Sequence, residues 1–383
     1  MRILLVSNYF PEHVGGIQTV ADNLARGYRR RGHRVVWAAA EVTPHRGHQD
    51  DLSLAAWNLT EEHLGFPYPL VGPGAVGKLL RAVGQSDAVH VQDCLYQTSA
   101  IAVIAASLQH KRVLVTQHVG IVPYRQRALR IAQQAAYRSL GRVVLGRADH
   151  ITFVSRAVAG WFSTFVPKAR TAEVVSNGVD STIFKPLEGK QRAALRVELG
   201  LPSAGPVLLF TGRFVQKKGL HLLEPVVRRH PAWTLVLIGQ PSDVDPRTWA
   251  LPNVRVLPTM PASQLSAYYQ AADLLTIPST GEGFPVAVQE AMACATPAVL
   301  SAELKDALPW SVAFTSERTA EAVEATVTRA LDTLAADQDM RQRVARYARD
   351  HWNWDATIDR YEAMLAGADP GQQGEQPAAV ARS

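Results

Sequence analysis

The residues best suited by type and spacing to do chemistry lie in Gly281-Glu282-Gly283-Phe284-Pro285, with Glu290 further along the same pattern. This string follows a short apolar run ending at Pro278-Ser279 and opens a helical pattern over Pro285–Ala293. A helix entrance leaves N–H groups without intrahelical partners and carries the positive end of the helix dipole, which suits a diphosphate. Pro285 fits the first helical position, and Gly283 lets backbone approach a ligand closely. Glu282 before the helix and Glu290 within it can each accept hydrogen bonds from hydroxyls, one of a sugar and the other of a ribose. A lone glutamate on an amphipathic helix would read as a solvated residue. The whole string at a strand–loop–helix junction outweighs that reading.

Four further places carry candidate chemistry. Thr211-Gly212-Arg213-Phe214-Val215-Gln216-Lys217-Lys218-Gly219 follows an apolar run directly. Arg213 and Lys218 there can neutralise a diphosphate and stabilise the charge that grows on a leaving nucleotide. Taken alone, the same stretch is equally a basic surface turn. Gly15-Gly16 lies between the first strand and the first helix, where Gly16 permits tight backbone approach. Thr116-Gln117-His118 places a histidine at a strand end, a natural polar or acid/base group, although most histidines are structural. Asn177-Gly178 is first of all a turn. Gly72-Pro73-Gly74-Ala75-Val76-Gly77 matches dinucleotide-binding spacing, but Phe66-Pro67-Tyr68-Pro69 ahead of it could not form the central strand such a site needs. It reads instead as a loop entering a helix around Lys78–Val83.

The elements that must position these groups alternate along the chain. Strand patterns over Arg2–Ser7, Arg34–Ala39, Ala88–Val91, Arg112–Thr116, His150–Val154 and Glu173–Val175 are separated by helical patterns. The alternation pauses around Phe184–Lys190 and restarts with strands over Val207–Thr211, Thr234–Ile238, Val254–Leu257, Leu274–Ile277 and Ala298–Leu300. Short apolar runs separated by helices indicate βαβ units and parallel sheets. The expected fold class is therefore α/β, with two tandem Rossmann-like doubly wound domains facing across a cleft. The domains expected are 1–185 and 186–352, followed by a tail over 367–383 whose Gly, Gln, Pro and Ala predict disorder.

Together these features resemble the GT-B glycosyltransferases of family 4, the retaining nucleotide-sugar enzymes. The resemblance rests on the Gly-Gly loop followed by Arg31-Gly32-His33-Arg34-Val35, on His118, Asn177-Gly178-Val179-Asp180, Gly212-Arg213…Lys218-Gly219, and above all on Glu282 and Glu290. It implies that Glu290 binds the ribose and Glu282 the donor sugar, with Gly283, Phe284 and Pro285 in the donor loop. Arg213 and Lys218 would hold the diphosphate, the Gly16 backbone would face it from the other domain, and His118 would stand near the reacting carbon. It also implies a last helix, over about 353–366 with Trp354 and Tyr361, that returns to the N-terminal domain. Two departures stand out: Ala295 replaces a usual glycine, and the stretch Thr296-Pro297-Ala298-Val299-Leu300-Ser301-Ala302-Glu303-Leu304-Lys305-Asp306 lacks a usual glycine pair.

The expected activity is thus retaining transfer of a sugar from a nucleoside-diphosphate sugar to a glycan, lipid-linked or small-molecule acceptor. The alternatives are a nucleotide-sugar epimerase or phosphorylase of similar fold, and a non-catalytic nucleotide-binding protein. No Asp-x-Asp pattern is placed to hold a metal beside the diphosphate, so neither metal nor cofactor is expected. The net charge of +6 favours anionic partners without choosing among them; no nucleic-acid partner is expected. Two distant cysteines, Cys94 and Cys294, form no framework and fit a reducing compartment. No stretch approaches the roughly 20 apolar residues of a membrane span, so a cytoplasmic protein is expected. Tyr124–Arg147, rich in arginine, reads either as a solvated helix face or as a peripheral contact with the inner face of a membrane.

Overall fold

The computed structural model describes residues 1–13, 15–41, 44–45, 47–58, 68–120, 127–166, 172–281, 283–305 and 307–367. The chain divides into two compact units, Met1–Asn177 with the chain from Trp354 onward, and Gly178–Asn353. The division falls before the expected 185/186 boundary because residues 178–188 pack into the second unit. Val179 N–H donates to the Trp352 carbonyl (2.9 Å), and the Phe184 ring stands edge-on to Tyr269 at 5.9 Å.

The N-terminal unit is built on strands β1 (Arg2–Tyr9), β2 (Arg34–Glu41), β3 (Leu52–Trp57), β4 (Leu70–Val71), β5 (Ala88–Gln92), β6 (Arg112–Gln117), β7 (His150–Phe153) and β8 (Ala172–Val174). They lie in the order β4-β3-β2-β1-β5-β6-β7-β8. Each neighbouring pair is parallel except β3 with β4, which is antiparallel. Both faces of the central strands are covered, and Leu4, Val6, Val89, Val91, Val113 and Val115 are sealed in the core. Each such side chain contributes about 1.5–3 kcal/mol of burial. The helices of this unit are α1 (Gly16–Arg30), α2 (Pro73–Gln85), α3 (Gln97–Leu108), α4 (Arg127–Ala136), α5 (Arg142–Arg147) and α6 (Arg156–Ser163), with a π-type turn at Tyr137–Gly141 joining α4 to α5. Gly72–Gly77 corrects one expectation. It is not a loop: Pro73 is the first residue of α2, where its fixed φ and missing N–H do no harm.

The C-terminal unit contains β9 (Val207–Thr211), β10 (Thr234–Ile238), β11 (Val254–Leu257), β12 (Leu274–Ile277), β13 (Ala298–Ser301) and β14 (Ala313–Ser316), all parallel in the order β11-β10-β9-β12-β13-β14. Helices α7 (Gly189–Glu198), α8 (Leu220–Arg229), α9 (Ala262–Ala271), α10 (Val286–Ala293), α11 (Ala320–Ala336) and α12 (Met340–His351) surround it. Strands β3, β4 and β14 lie outside the sequence expectation.

The last helix, α13 (Trp354–Ala366), belongs to the first unit. It buries Trp354, Ile358, Tyr361 and Leu365, a spacing that puts all four on one face. Gly27 lets α13 approach α1, since a Cβ there would fall 2.1 Å from Ile358 Cδ1. Arg31, part of the Arg31–Val35 stretch of the resemblance, fastens this contact by donating to Asp359 (2.5 Å) and Glu362 (3.0 Å). Residues 368–383, including most of the expected disordered tail, lie outside the described residues.

Candidate functional site

In an open parallel sheet, ligands gather at the carboxyl ends of the strands where the winding reverses. In the C-terminal sheet that reversal lies between β9 and β12. The loops following these two strands carry Arg213–Lys218 and Pro278–Pro285, so the fold brings together two motifs far apart in sequence.

Glycines make the junction possible. Gly219 adopts φ +78°, and a Cβ there would fall 2.4 Å from the Pro278 carbonyl oxygen. Gly239, at the end of β10, would place a Cβ 1.9 Å from the Gly212 oxygen. Two further bonds strap the loops: Thr280 N–H donates to the Lys217 carbonyl (2.9 Å), and Arg318 Nε donates to the Pro278 carbonyl (3.1 Å). The Lys218 stem runs back over Gly212, with its Cε 3.9 Å from where a Gly212 Cβ would stand. Arg213 and Lys218 are both half-buried.

The loop then enters α10. Gly283 and Pro285 are buried, with Pro285 directly preceding the first helical residue, Val286. The Phe284 ring packs on Trp352 at 5.6 Å, so this side chain anchors the loop to the core of its own unit. Glu282 lies outside the described residues. Glu290 keeps some exposed surface, yet its carboxyl sits deep enough that burial pushes it up to about 7, against the lowering effect of the Tyr269 bond. The Tyr269 hydroxyl donates to Glu290 Oε2 (2.9 Å) and also meets Thr211 Oγ1 (2.9 Å). Residues from β9, α9 and α10 thus fix one carboxylate at the switch point.

Glu303 lies within the stretch that lacks the glycine pair. It lies in a short 3-10 turn, Ala302–Leu304, and accepts from Gly281 N–H (2.9 Å) and from the Thr280 hydroxyl. It therefore braces the loop just before Glu282. Ala295, the second departure, adopts φ +62°, the left-handed conformation that glycine takes without strain.

The N-terminal sheet reverses between β1 and β5. Gly16 is the first residue of α1, after an extended Gly15. His118 follows β6 and is 5% exposed. Its Nε2 lies 2.7 Å from Gln92 Oε1. Burial pushes its pKa down to about 3, so the ring is neutral at ordinary pH. A neutral ring offers one hydrogen-bond donor and one acceptor and carries no charge.

Asp93, absent from the sequence reading, stands beside it at the end of β5 with φ +70°. Its carboxylate accepts from the backbone N–H groups of His118 and Val119 and from Gln117 Nε2. Burial still drives its pKa up to about 7. Its sequence signal was a carboxylate ending the buried run His90-Val91-Gln92. Tyr269 and Glu303 offered no comparable signal, since each acts through a partner distant in sequence.

Two Rossmann-like units, each with ligand-type loops at its switch point, define the GT-B glycosyltransferase fold. Two family models match this chain: "Glycosyltransferase Family 4" over residues 14–182 and "Glycosyl transferases group 1" over residues 191–351. The chain belongs to the family 4, or group 1, glycosyltransferases. It is 25% identical to a GDP-mannose-dependent alpha-(1-6)-phosphatidylinositol monomannoside mannosyltransferase of Mycolicibacterium smegmatis, over 97% of this chain and 100% of that protein. It is 30% identical to a D-inositol 3-phosphate glycosyltransferase of Salinispora arenicola, over 56% of this chain and 54% of that one. With the corresponding Segniliparus rotundus protein it shares 33% identity over 41% of this chain and 37% of the other. The chain thus spans about half or less of the inositol-phosphate enzymes it matches. Among solved structures, sucrose-phosphate synthase of Thermosynechococcus elongatus superposes with a TM-score of 0.78 at 20% identity, covering 96% of this chain and 98% of that one. Anabaena HepE in complex with UDP-glucose superposes with a TM-score of 0.74 at 16% identity, covering 96% and 99%.

Proposed function

We propose that this protein transfers a sugar from a nucleoside-diphosphate sugar to an acceptor hydroxyl, with retention of anomeric configuration and without a metal ion. The observation that carries the proposal is the fusion of the Arg213–Lys218 loop with the entrance of α10, through Gly219 on Pro278 and Thr280 on Lys217. That junction sets two cations beside a helix N-terminus, which is an electrostatic seat for a diphosphate.

In the proposed reaction the bond between C1 of the sugar and the diphosphate oxygen breaks. A bond from C1 to the acceptor oxygen forms on the same face, and the departing phosphate oxygen takes the acceptor proton. Arg213 and Lys218 stabilise the charge on that leaving group. Glu290, oriented by Tyr269, accepts from the ribose hydroxyls. Glu282 serves the donor sugar, and Gly16 and His118 keep the roles that family resemblance gives them, with His118 acting as a neutral hydrogen-bonding group. UDP-glucose in the HepE structure and GDP-mannose in the name of the mycolicibacterial relative support a nucleotide-sugar donor. That relative's name also supports a lipid-linked acceptor. Peripheral membrane contact through Tyr124–Arg147 is part of the proposal: Arg127, Arg130, Arg138, Arg142 and Arg147 are exposed, beside an exposed Ile131. Residues 124–126 lie outside the described ones, and among the described residues no helix is long and apolar enough to cross a membrane.

The test is a thermal-shift screen of UDP-, GDP-, ADP- and dTDP-sugars, followed by NMR of the glycoside formed from the stabilising donor with EDTA present. The expected result is one preferred donor and a product with the donor's anomeric configuration. An inverted anomer, or loss of activity restored by metal, refutes the corresponding part. Release of an epimer or free monosaccharide without any acceptor requirement supports an epimerase or phosphorylase instead.

A further inference from the structure

The opposite end of the C-terminal sheet holds a second concentration of charge. Asp273, just before β12, accepts from Val207 N–H at the start of β9 (2.8 Å). It also receives three guanidinium groups: Arg192 (2.6 Å), Arg196 (2.6 Å) and Arg341 (3.2 Å). One carboxylate therefore faces three cations. Carbonyl oxygens fix the planes of all three: Arg192 donates to Gln270 (3.2 Å), Arg196 to Ala271 (2.9 Å) and Arg341 to Ala295 (3.1 Å). Burial first, then the charge on Arg192, brings Arg341 down to about 10. Positive charge here is under-compensated, and an anion would relieve it.

The same arginines border a space. Arg192, Arg341, Arg346, Arg349, Gln270 and Gln342 line a cavity of about 300 Å³, and neither Asp nor Glu is among its lining residues. Arg341 and Arg349 lie eight residues apart on α12 and so share a face, with Arg346 and Arg349 exposed at the rim. Arg349 does meet Asp350 (3.3 Å), but that pair is exposed and worth little in water. Guanidinium forks match phosphate oxygens bidentately, and the two amides can serve hydroxyl groups. The volume stands at the lower bound of ordinary ligand pockets, roughly 300 Å³. None of these residues belongs to the loops after β9 and β12, because Asp273 and Val207 mark the opposite ends of those strands.

We propose that this arginine-lined cavity is a second binding site, for a small phosphate monoester such as a phosphorylated sugar, separate from the loops that carry Arg213 and Lys218. A ligand here would tie α7 to α12 and stabilise the unit. It would also leave Arg213 untouched, so the proposal stands or falls apart from the donor assignment.

The experiment follows the thermal midpoint of the full chain with ribose 5-phosphate, inorganic phosphate and ribose, at ionic strength matched with sodium chloride. Both phosphates should raise the wild-type midpoint by about 2–4 °C near saturation, and ribose should leave it unchanged. The variant Arg346→Ser/Arg349→Ser should lose most of that rise, because its exposed positions carry the rim charge and not the Asp273 network. Arg213→Ala should keep it. No rise in the wild type overturns the proposal, and so does a rise lost in Arg213→Ala but kept in the double variant. Should the double variant fold poorly, Arg346→Ser alone, read by calorimetric titration with ribose 5-phosphate, gives the same discrimination. Unchanged affinity there counts against the site. A rise with inorganic phosphate but none with ribose 5-phosphate overturns the monoester assignment.

Discussion

At the switch point of the N-terminal sheet, polar groups are bonded to one another: Asp93 to the His118 and Val119 backbone, and His118 to Gln92. At the switch point of the C-terminal sheet, the loop carrying the half-buried Arg213 and Lys218 is bonded to the loop that enters α10, and one carboxylate retains exposed surface. Both regions contain a carboxyl that burial raises to about 7, Asp93 and Glu290. Their surroundings differ. Asp93 is enclosed by N–H donors that hold a loop in place, while Glu290 has one side-chain donor, Tyr269, and capacity for further hydrogen bonds. One unit thus encloses its buried carboxyl in a closed set of donors, and the other leaves its buried carboxyl room for further hydrogen bonds.

The largest expected effect falls on the cationic seat. Arg213→Ala should lower transfer by about 10²–10³-fold, the scale on which losing one donor to transition-state charge is felt, read as kcat/KM with the preferred donor. Next comes Glu290. Nucleoside diphosphate affinity should rise several-fold between pH 6 and pH 8 as this carboxyl ionises, and Glu290→Gln should flatten that rise. Tyr269→Phe removes the bond that lowers the Glu290 pKa, so the midpoint of the same curve should move upward. Titration calorimetry across pH checks all three proteins.

Asp93 sets a contrasting expectation for stability. Its folded pKa lies above its unfolded value of about 3.9. The contribution is fully present below the unfolded value and is lost as pH rises through about 7. Denaturation of Asp93→Asn should show a flatter dependence over that window, without the pH-dependent change in nucleotide affinity seen for Glu290. A smaller effect is expected from Gln92→Leu, which frees His118 Nε2. It should lower kcat by about ten-fold or less while leaving the pH profile above pH 5 unchanged, because His118 is neutral throughout. Smallest is Glu303→Ala, which loosens Thr280 and Gly281 and should raise the donor KM a few-fold with kcat nearly kept.

The sequence was most legible where burial on both faces forces apolar runs, as in β1 and β9. Strand β3, Leu52-Ser53-Leu54-Ala55-Ala56-Trp57, is partly exposed near the sheet edge, and β14, Ala313-Phe314-Thr315-Ser316, is short and half polar. Pairing with a neighbour, rather than a strong local pattern, accounts for both. Arg213, Lys218, Gly283 and Glu290 stood out as candidates because helix entrances and strand-end cations carry local signatures. Tyr269 and Glu303 were not, since each touches the site through contacts that only the folded chain creates. The charge state of His118 was likewise invisible, because it is set by enclosure.

The central claim is that the loops after β9 and β12 form one nucleotide seat. Its most direct test is calorimetric titration of the full-length protein with UDP and GDP in EDTA, for wild type, Arg213→Ala and Glu290→Gln. Binding of at least one nucleotide to the wild type, weakened ten-fold or more in both variants, is the expected result. Equal affinity in all three proteins would contradict it.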